Sequence, residues 1–201
     1  MRSIIFVPIL GLVLTAAALP AVAQNVTGPA APQTAATRQA APETKDFGDW
    51  TMRCFPVQSP APCDVYQVSI NKDTRQRVTS TSIAYMPSRD LYAVEFTVPL
   101  GVSIAKGLGF KVGDYNVSGV AFRICTREGC VVESPIDPKA IQAMSTADNA
   151  SLTVTAYGGK ELKLPLSLKG FSAALAAMKD AAKEKAVNPP PSTGGSSNGG
   201  K

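Results

Sequence analysis

The sequence predicts a mainly β protein, an antiparallel β-sandwich with one or two short helices. Three observations carry this. Apolar residues recur at alternate positions in several segments. Clusters of Gly, Pro, Asn and Asp punctuate those segments. Four cysteines fall in two closely spaced pairs, as in a stapled extracellular domain.

Taken in order, strands are expected over Asp49–Phe55, Val65–Ile70 and Thr79–Tyr85. The clearest period of two follows, where Tyr92, Val94, Phe96 and Val98 alternate with Leu91, Ala93, Glu95 and Thr97, the pattern of a half-buried strand. Leu108–Val112 and Val120–Cys125 come next. Leu152, Val154 and Ala156 alternate with Ser151, Thr153 and Thr155, and Leu162, Leu164, Leu166 and Leu168 repeat the pattern. Pro165 places that last strand at a sheet edge, since proline cannot donate to the ladder. Asn71-Lys72-Asp73, Pro87-Ser88-Arg89-Asp90, Val112-Gly113-Asp114 and Tyr157-Gly158-Gly159-Lys160 supply turn chemistry between strands. Asp137-Pro138 reads as an N-cap and first-turn proline before a helix over Lys139–Ser145. Phe171, Ala174, Leu175 and Met178 form one apolar helical stripe, which packs on a core.

The ends have a different character. Arg2, the apolar run Ile4 to Leu19, Pro20 and Ala21-Val22-Ala23 are the parts of a secretory signal peptide over 1–23, cleaved between Ala23 and Gln24. The run is shorter than the roughly 20 residues that span a bilayer. No other segment is long and apolar enough to span, so no membrane-spanning segment is expected in the processed protein. Residues 24–45, rich in Ala, Pro, Thr and Gln, read as a disordered linker. Residues 186–201, with Pro-Pro-Pro and Gly/Ser runs, read as a disordered tail. One domain is expected over 46–185, in the periplasm, at the cell envelope or secreted.

Composition narrows function further. The net charge of +5 is spread among scattered Lys and Arg without a basic stripe or stacking aromatics, so nucleic acid is not an expected partner. The chain has no histidine. That removes Ser-His-Asp and Cys-His catalysis and imidazole metal sites. No cofactor or metal is expected.

Cys54 and Cys63 flank a loop with Pro56, Pro60 and Pro62, while Cys125-Thr-Arg-Glu-Gly-Cys130 places two cysteines at the mouth of a hairpin. Four cysteines allow three pairings, of which local pairing, Cys54–Cys63 and Cys125–Cys130, follows best from spacing. Neither pair has the C-x-x-C spacing of thioredoxin-like catalysis. Other chemical motifs fall short. Asp46-Phe47-Gly48 lacks the rest of a kinase signature. Gly107-Leu-Gly109-Phe-Lys-Val-Gly113 misses the dinucleotide spacing and lies among strands. Asp46 with Asp49, Glu128 with Glu133, and Ser167 with Lys169 are close in sequence without a supporting catalytic pattern.

Several segments together resemble a known family. Phe47-Gly48-Asp49-Trp50-x-x-x-Cys54, Cys63, Pro99-Leu100-Gly101-Val102, Cys125…Gly129-Cys130 and Leu164-Pro165-Leu166-Ser167-Leu168-Lys169-Gly170-Phe171 occur in this order. The combination resembles the invasion-associated locus B family of Gram-negative bacterial envelope proteins, from about Asp46 to Met178. The resemblance implies an exported, immunoglobulin-like β-sandwich linked with host-cell entry in pathogenic members. It implies no catalytic residues and supports the four-cysteine disulfide pattern. Trp50 is expected to pack in the core near Cys54.

The function expected is therefore that of a non-enzymatic envelope or secreted interaction protein with a protein or cell-surface partner. A structural or stress-related periplasmic protein and a hydrolase with an unrecognised site are the alternatives. Recognition is expected on loops held by the rigid sandwich. Thr126, Arg127, Glu128 and Gly129 at the Cys125–Cys130 hairpin are the first candidates, and the Pro56–Pro62 loop is the second.

Overall fold

The computed structural model describes residues 41–189, which fall within one compact unit. The signal peptide over 1–23 with its Ala23–Gln24 junction, the linker up to residue 40 and the tail from residue 190 lie outside the described residues.

Two antiparallel sheets build the molecule. The first contains β1 (Glu43–Phe47), β2 (Trp50–Cys54), β3 (Cys63–Ile70), β4 (Arg77–Met86), β5 (Leu91–Val98), β8 (Ile124–Thr126) and β9 (Gly129–Pro135). Its seven strands run β1-β2-β3-β4-β5-β9-β8. The second contains β6 (Leu108–Val112), β7 (Tyr115–Val120), β10 (Asn149–Thr155) and β11 (Glu161–Ser167), in the order β11-β10-β6-β7. Two helices, α1 (Pro138–Thr146) and α2 (Phe171–Val187), complete the described residues. This is the expected mainly β sandwich, with α2 longer than the short helix expected from the sequence.

Local chemistry explains the element ends. Asp137 caps α1 by accepting a 2.8 Å hydrogen bond from the Lys139 backbone, with Pro138 in the first turn. Pro165 lies on β11, an outer strand, where a missing donor is tolerated. The strand expected over Val120–Cys125 divides in two. β7 ends at Val120, and Ala121–Arg123 carry the chain across to β8 in the other sheet. β1 begins at Glu43, inside the segment expected as linker, and pairs residue for residue with β2 from Glu43↔Cys54 to Phe47↔Trp50. Backbone pairing alone makes it a strand; Glu43, Thr44, Lys45 and Asp46 are all exposed, so it carries no hydrophobic period.

The core lies between the two sheets and under α2. Trp50, Ile83, Leu108, Met144, Leu152, Leu166, Phe171 and Met178 are its largest fully buried side chains. The helical stripe Phe171, Ala174, Leu175 and Met178 faces this core as expected. Trp50 stacks at a tilt on Phe171, with ring centroids 4.9 Å apart.

The Phe47–Trp50 turn and the Ser167–Phe171 turn interlock. The Asp49 amide donates to the Lys169 carbonyl at 3.0 Å, and the Trp50 indole N–H donates to the Ser167 carbonyl at 3.0 Å. The Ser167 hydroxyl returns a 2.6 Å bond to the Asp49 carboxylate. Gln67 Nε2 joins both turns, donating to the carbonyls of Ser167 at 2.9 Å and Asp49 at 3.2 Å. Gly170 has φ +86°, and a Cβ there would lie 2.0 Å from the Phe47 carbonyl oxygen. Only glycine admits that approach.

Gly170→Ala should therefore cost more than about 3 kcal/mol, combining left-handed backbone strain with a backbone clash. Gly101 provides the control: its φ is +84°, but a Cβ there would meet nothing within 4 Å. Gly101→Ala should cost only about 1–2 kcal/mol. Urea unfolding of both variants checks the order; equal losses would refute the interlock.

Candidate functional site

The β8–β9 hairpin is tighter than its sequence suggested. Cys125 faces Cys130 and Thr126 pairs with Gly129, leaving Arg127 and Glu128 as the turn itself. The Cys125–Cys130 disulfide closes the base, with Cα atoms 3.9 Å apart. Cys54–Cys63 likewise joins directly opposed residues of β2 and β3, at 4.1 Å. Both bonds lie within the seven-stranded sheet and link neighbouring strands; neither bridges the two sheets, as the disulfide of antibody domains does.

Each turn residue has a distinct environment. The Thr126 hydroxyl donates to a Glu128 carboxylate oxygen at 2.5 Å and accepts from the Glu128 amide at 3.2 Å. That hydroxyl, then Glu128's own backbone N–H and the positive charge of Arg77, hold the Glu128 carboxyl below its ordinary pKa. Arg77, at the start of β4, donates from Nη2 to the Glu128 carbonyl at 2.9 Å. Gly129 is buried, and a Cβ on it would lie 2.2 Å from the Val98 carbonyl oxygen. Gly129 is therefore not a displayed tip residue; it lets the hairpin base press on the end of β5. Arg127 alone among the four is exposed without a hydrogen bond or ion pair among the described residues.

Arg77 is the contributor that sequence reasoning missed. It lies 51 positions from Glu128, and no local pattern links the two. The turn before it adds a second arginine: Arg75 occupies the left-handed region at φ +57°. Asn71 supports this turn by accepting from the amides of Asp73 and Thr74 at 2.9 and 3.0 Å.

The second candidate, Pro56–Pro62, is at the opposite end of the same sheet. The strand registers show this: Cys63 begins β3 beside the end of β4, whereas Cys130 begins β9 opposite Val98 at the end of β5. A groove of about 290 Å³ runs beside this loop, lined by Val57, Ser59, Pro60, Pro62, Pro87 and Lys185. The two loops cannot form one compact site.

The residues considered for chemistry are engaged otherwise. Asp46 accepts from the Thr51 hydroxyl at 2.7 Å, and Asp49 is bound by Ser167. Glu133 is ion-paired with Arg123. The Ser167 oxygen accepts from the Lys169 backbone amide at 3.3 Å, so the two side chains form no nucleophile–base pair. Trp50 is fully buried and belongs to the core. Among the described residues, no group of three or more Cys, Asp or Glu side chains is placed to hold a metal, and no helix is long and apolar enough to cross a membrane.

Known proteins share both sequence and fold with this chain. The family model described as Invasion associated locus B (IalB) protein matches residues 50–179. Invasion protein B homologs of Brucella abortus, from strain 2308 and from biovar 1 strain 9-941, are each 28% identical over 130 residues. These matches cover 64% of this chain and 75% of each relative. The crystal structure of invasion associated protein b from Bartonella henselae superposes with a TM-score of 0.63 at 24% identity. It covers 70% of this chain and 99% of that one, and shows the shared fold.

The Glu128 environment yields a titration test. Its carboxyl should titrate below the ordinary value of 4.5, and Thr126→Val should move it back up. A folded-state pKa below the unfolded one stabilises the hairpin above the unfolded pKa. That contribution is lost as pH falls through the lower, folded value. Side-chain NMR titration of Glu128 checks this; an unchanged midpoint in Thr126→Val would contradict the geometry.

Proposed function

The chain belongs to the invasion associated locus B family, and from that premise we propose that it works outside the cytoplasm as a non-enzymatic envelope or secreted interaction protein. Its partner is a protein or another cell-surface component. Export is supported by the N-terminal signal pattern ending at Ala23 and by two disulfides, bonds that persist in oxidising compartments. A link with host-cell invasion is the property of the family.

One observation carries the binding site. The β8–β9 turn is held by a disulfide, by Arg77 and by the Thr126–Glu128 bonds, and it leaves the Arg127 guanidinium free in solvent. A turn fixed before binding loses little conformational entropy on docking. A guanidinium offers planar, multidentate donors to carboxylate or phosphate groups. Thr126, Glu128 and Gly129 serve here as the mounting, with Arg127 as the contact.

The test compares binding of labelled protein and its Arg127→Ala variant to intact bacterial and host-cell surfaces. Arg127→Ala should reduce binding about tenfold, the size of one charged contact, with the melting temperature unchanged. Undiminished binding would remove the turn as the site. Mass spectrometry of the mature protein should find Gln24 at its N-terminus; a retained Met1–Ala23 segment would overturn the processing.

A further inference from the structure

The two sheets end in four outer strands, β1, β8, β11 and β7. Three carry the features by which sheets discourage further pairing. β1 bears Glu43, Lys45 and Asp46, and β11 bears Glu161, Lys163 and Pro165. β8 is only three residues long and is cross-linked to β9. β7 shares only one such device, a bulge in its register with β6 between Val117 and Val120. Its six residues, Tyr115-Asn-Val-Ser-Gly-Val120, contain neither charge nor proline, and among the described strands β7 pairs only with β6.

The two faces beside this edge differ in chemistry. Toward the interior, Val94, Phe96, Leu108, Phe110, Val117 and Val132 line an apolar slot of about 90 Å³ between the sheets. That is smaller than the roughly 150 Å³ cavity known to admit benzene, and suits a branched aliphatic side chain better than a ring. On the outer side, Lys106 and Lys111 line a groove with Asn116 and Ser118 of β7. Both lysines are exposed and neither has an ion pair among the described residues, while one carboxylate, Glu161, shares the groove.

We propose that β7 is a docking edge for an extended segment of a partner protein in which aliphatic residues alternate with acidic ones. Successive side chains of a strand point to opposite faces. A strand added to β7 directs one set toward the apolar slot and the other toward Lys106 and Lys111. Main-chain bonds to the open edge supply affinity, and the alternating side chains supply specificity. Charge argues against a second copy as the occupant, because it would bring its own Lys106 and Lys111 to the same edge. This surface does not depend on Arg127, so either assignment can fail without the other.

The probe is a capped peptide of alternating Val and Glu, added to the purified full-length processed protein and followed by amide NMR shifts. Shifts should centre on Tyr115–Val120. A Val/Lys peptide should bind about tenfold more weakly, since its charges meet like charges. Lys106→Glu with Lys111→Glu, both at exposed positions, should reverse that preference. Backbone N-methylation of the Val/Glu peptide, which removes its ladder donors, should abolish binding. Shifts centred away from β7, no shifts at millimolar peptide, equal affinity for both peptides, or β7-mediated self-association of the protein would each overturn the proposal.

Discussion

Trp50 and Phe171 belong to segments more than a hundred residues apart, and their contact holds the two sheets and α2 in one arrangement. Trp50 opens β2 in the first sheet. Ser167 ends β11 in the second, and Phe171 begins α2. The ring pair is worth about 0.5–1.5 kcal/mol beyond the area it buries, but its geometry depends on the hydrogen bonds around it. The Trp50 indole, the Asp49 amide and the Gln67 amide group all donate to carbonyls of the two interlocked turns. These carbonyls are only partly buried, so each such bond contributes about 0.5–1.5 kcal/mol net. The turns are therefore complementary as a unit, and Gly48 and Gly170 allow their backbones to approach. A Cβ on Gly48 would lie 2.8 Å from the Lys169 carbonyl oxygen.

Other side-chain networks extend that arrangement toward the sheet ends. The Lys179 ammonium lies 5.1 Å from the Tyr85 ring centroid and 5.6 Å from that of Tyr92, tying α2 to β4 and β5. The Tyr85 hydroxyl donates to Asp90 at 2.7 Å, supporting a turn in which Asp90 has φ +49°. On β2 and β3, the Arg53 guanidinium lies 3.8 Å from the Tyr66 ring centroid and binds Asp64 through Nε at 2.9 Å. Ser82 donates to the same carboxylate at 2.7 Å. Asp64 is buried but surrounded by donors, which offsets its desolvation. Distinct devices thus brace the β4–β5 turn, the β2–β3 pair and the β8–β9 turn.

What could be read from the sequence follows from how locally each feature is encoded. β5, β10 and β11 face a core on one side, so their side chains alternate visibly. α1 announces itself through Asp137 and Pro138, and α2 through the Phe171 stripe. β1 resists this reading because its exposed side chains form no apolar face and it needs only backbone pairing. β7 resists it because a bulge breaks the alternation of Tyr115, Val117 and Val120, which pack on the core. The short spacing of each cysteine pair made local disulfides readable. Arg77 was not readable as part of the hairpin, because its bond to Glu128 exists only after β4, β5 and β9 have assembled side by side. The Phe47–Trp50 and Ser167–Phe171 motifs could be recognised as sequence, but their shared role in packing required the fold.

The same assembly brings the two proposed recognition surfaces, the β7 edge and the Arg127 turn, close along the chain. β7 ends at Val120 and β8 begins at Ile124, so those ends are separated by at most about 15 Å of extended chain. β8 then leads directly into the turn carrying Arg127. An elongated partner lying along β7 would have its end within reach of this guanidinium. Two weak contacts on one rigid body reinforce each other because the second forms at high effective concentration. The disulfide, Arg77 and Gly129 matter to such binding by fixing the turn relative to the sheet, even where they touch no partner. Geometry also excludes the Pro56–Pro62 loop from the same compact footprint, because it projects from the other end of the seven-stranded sheet.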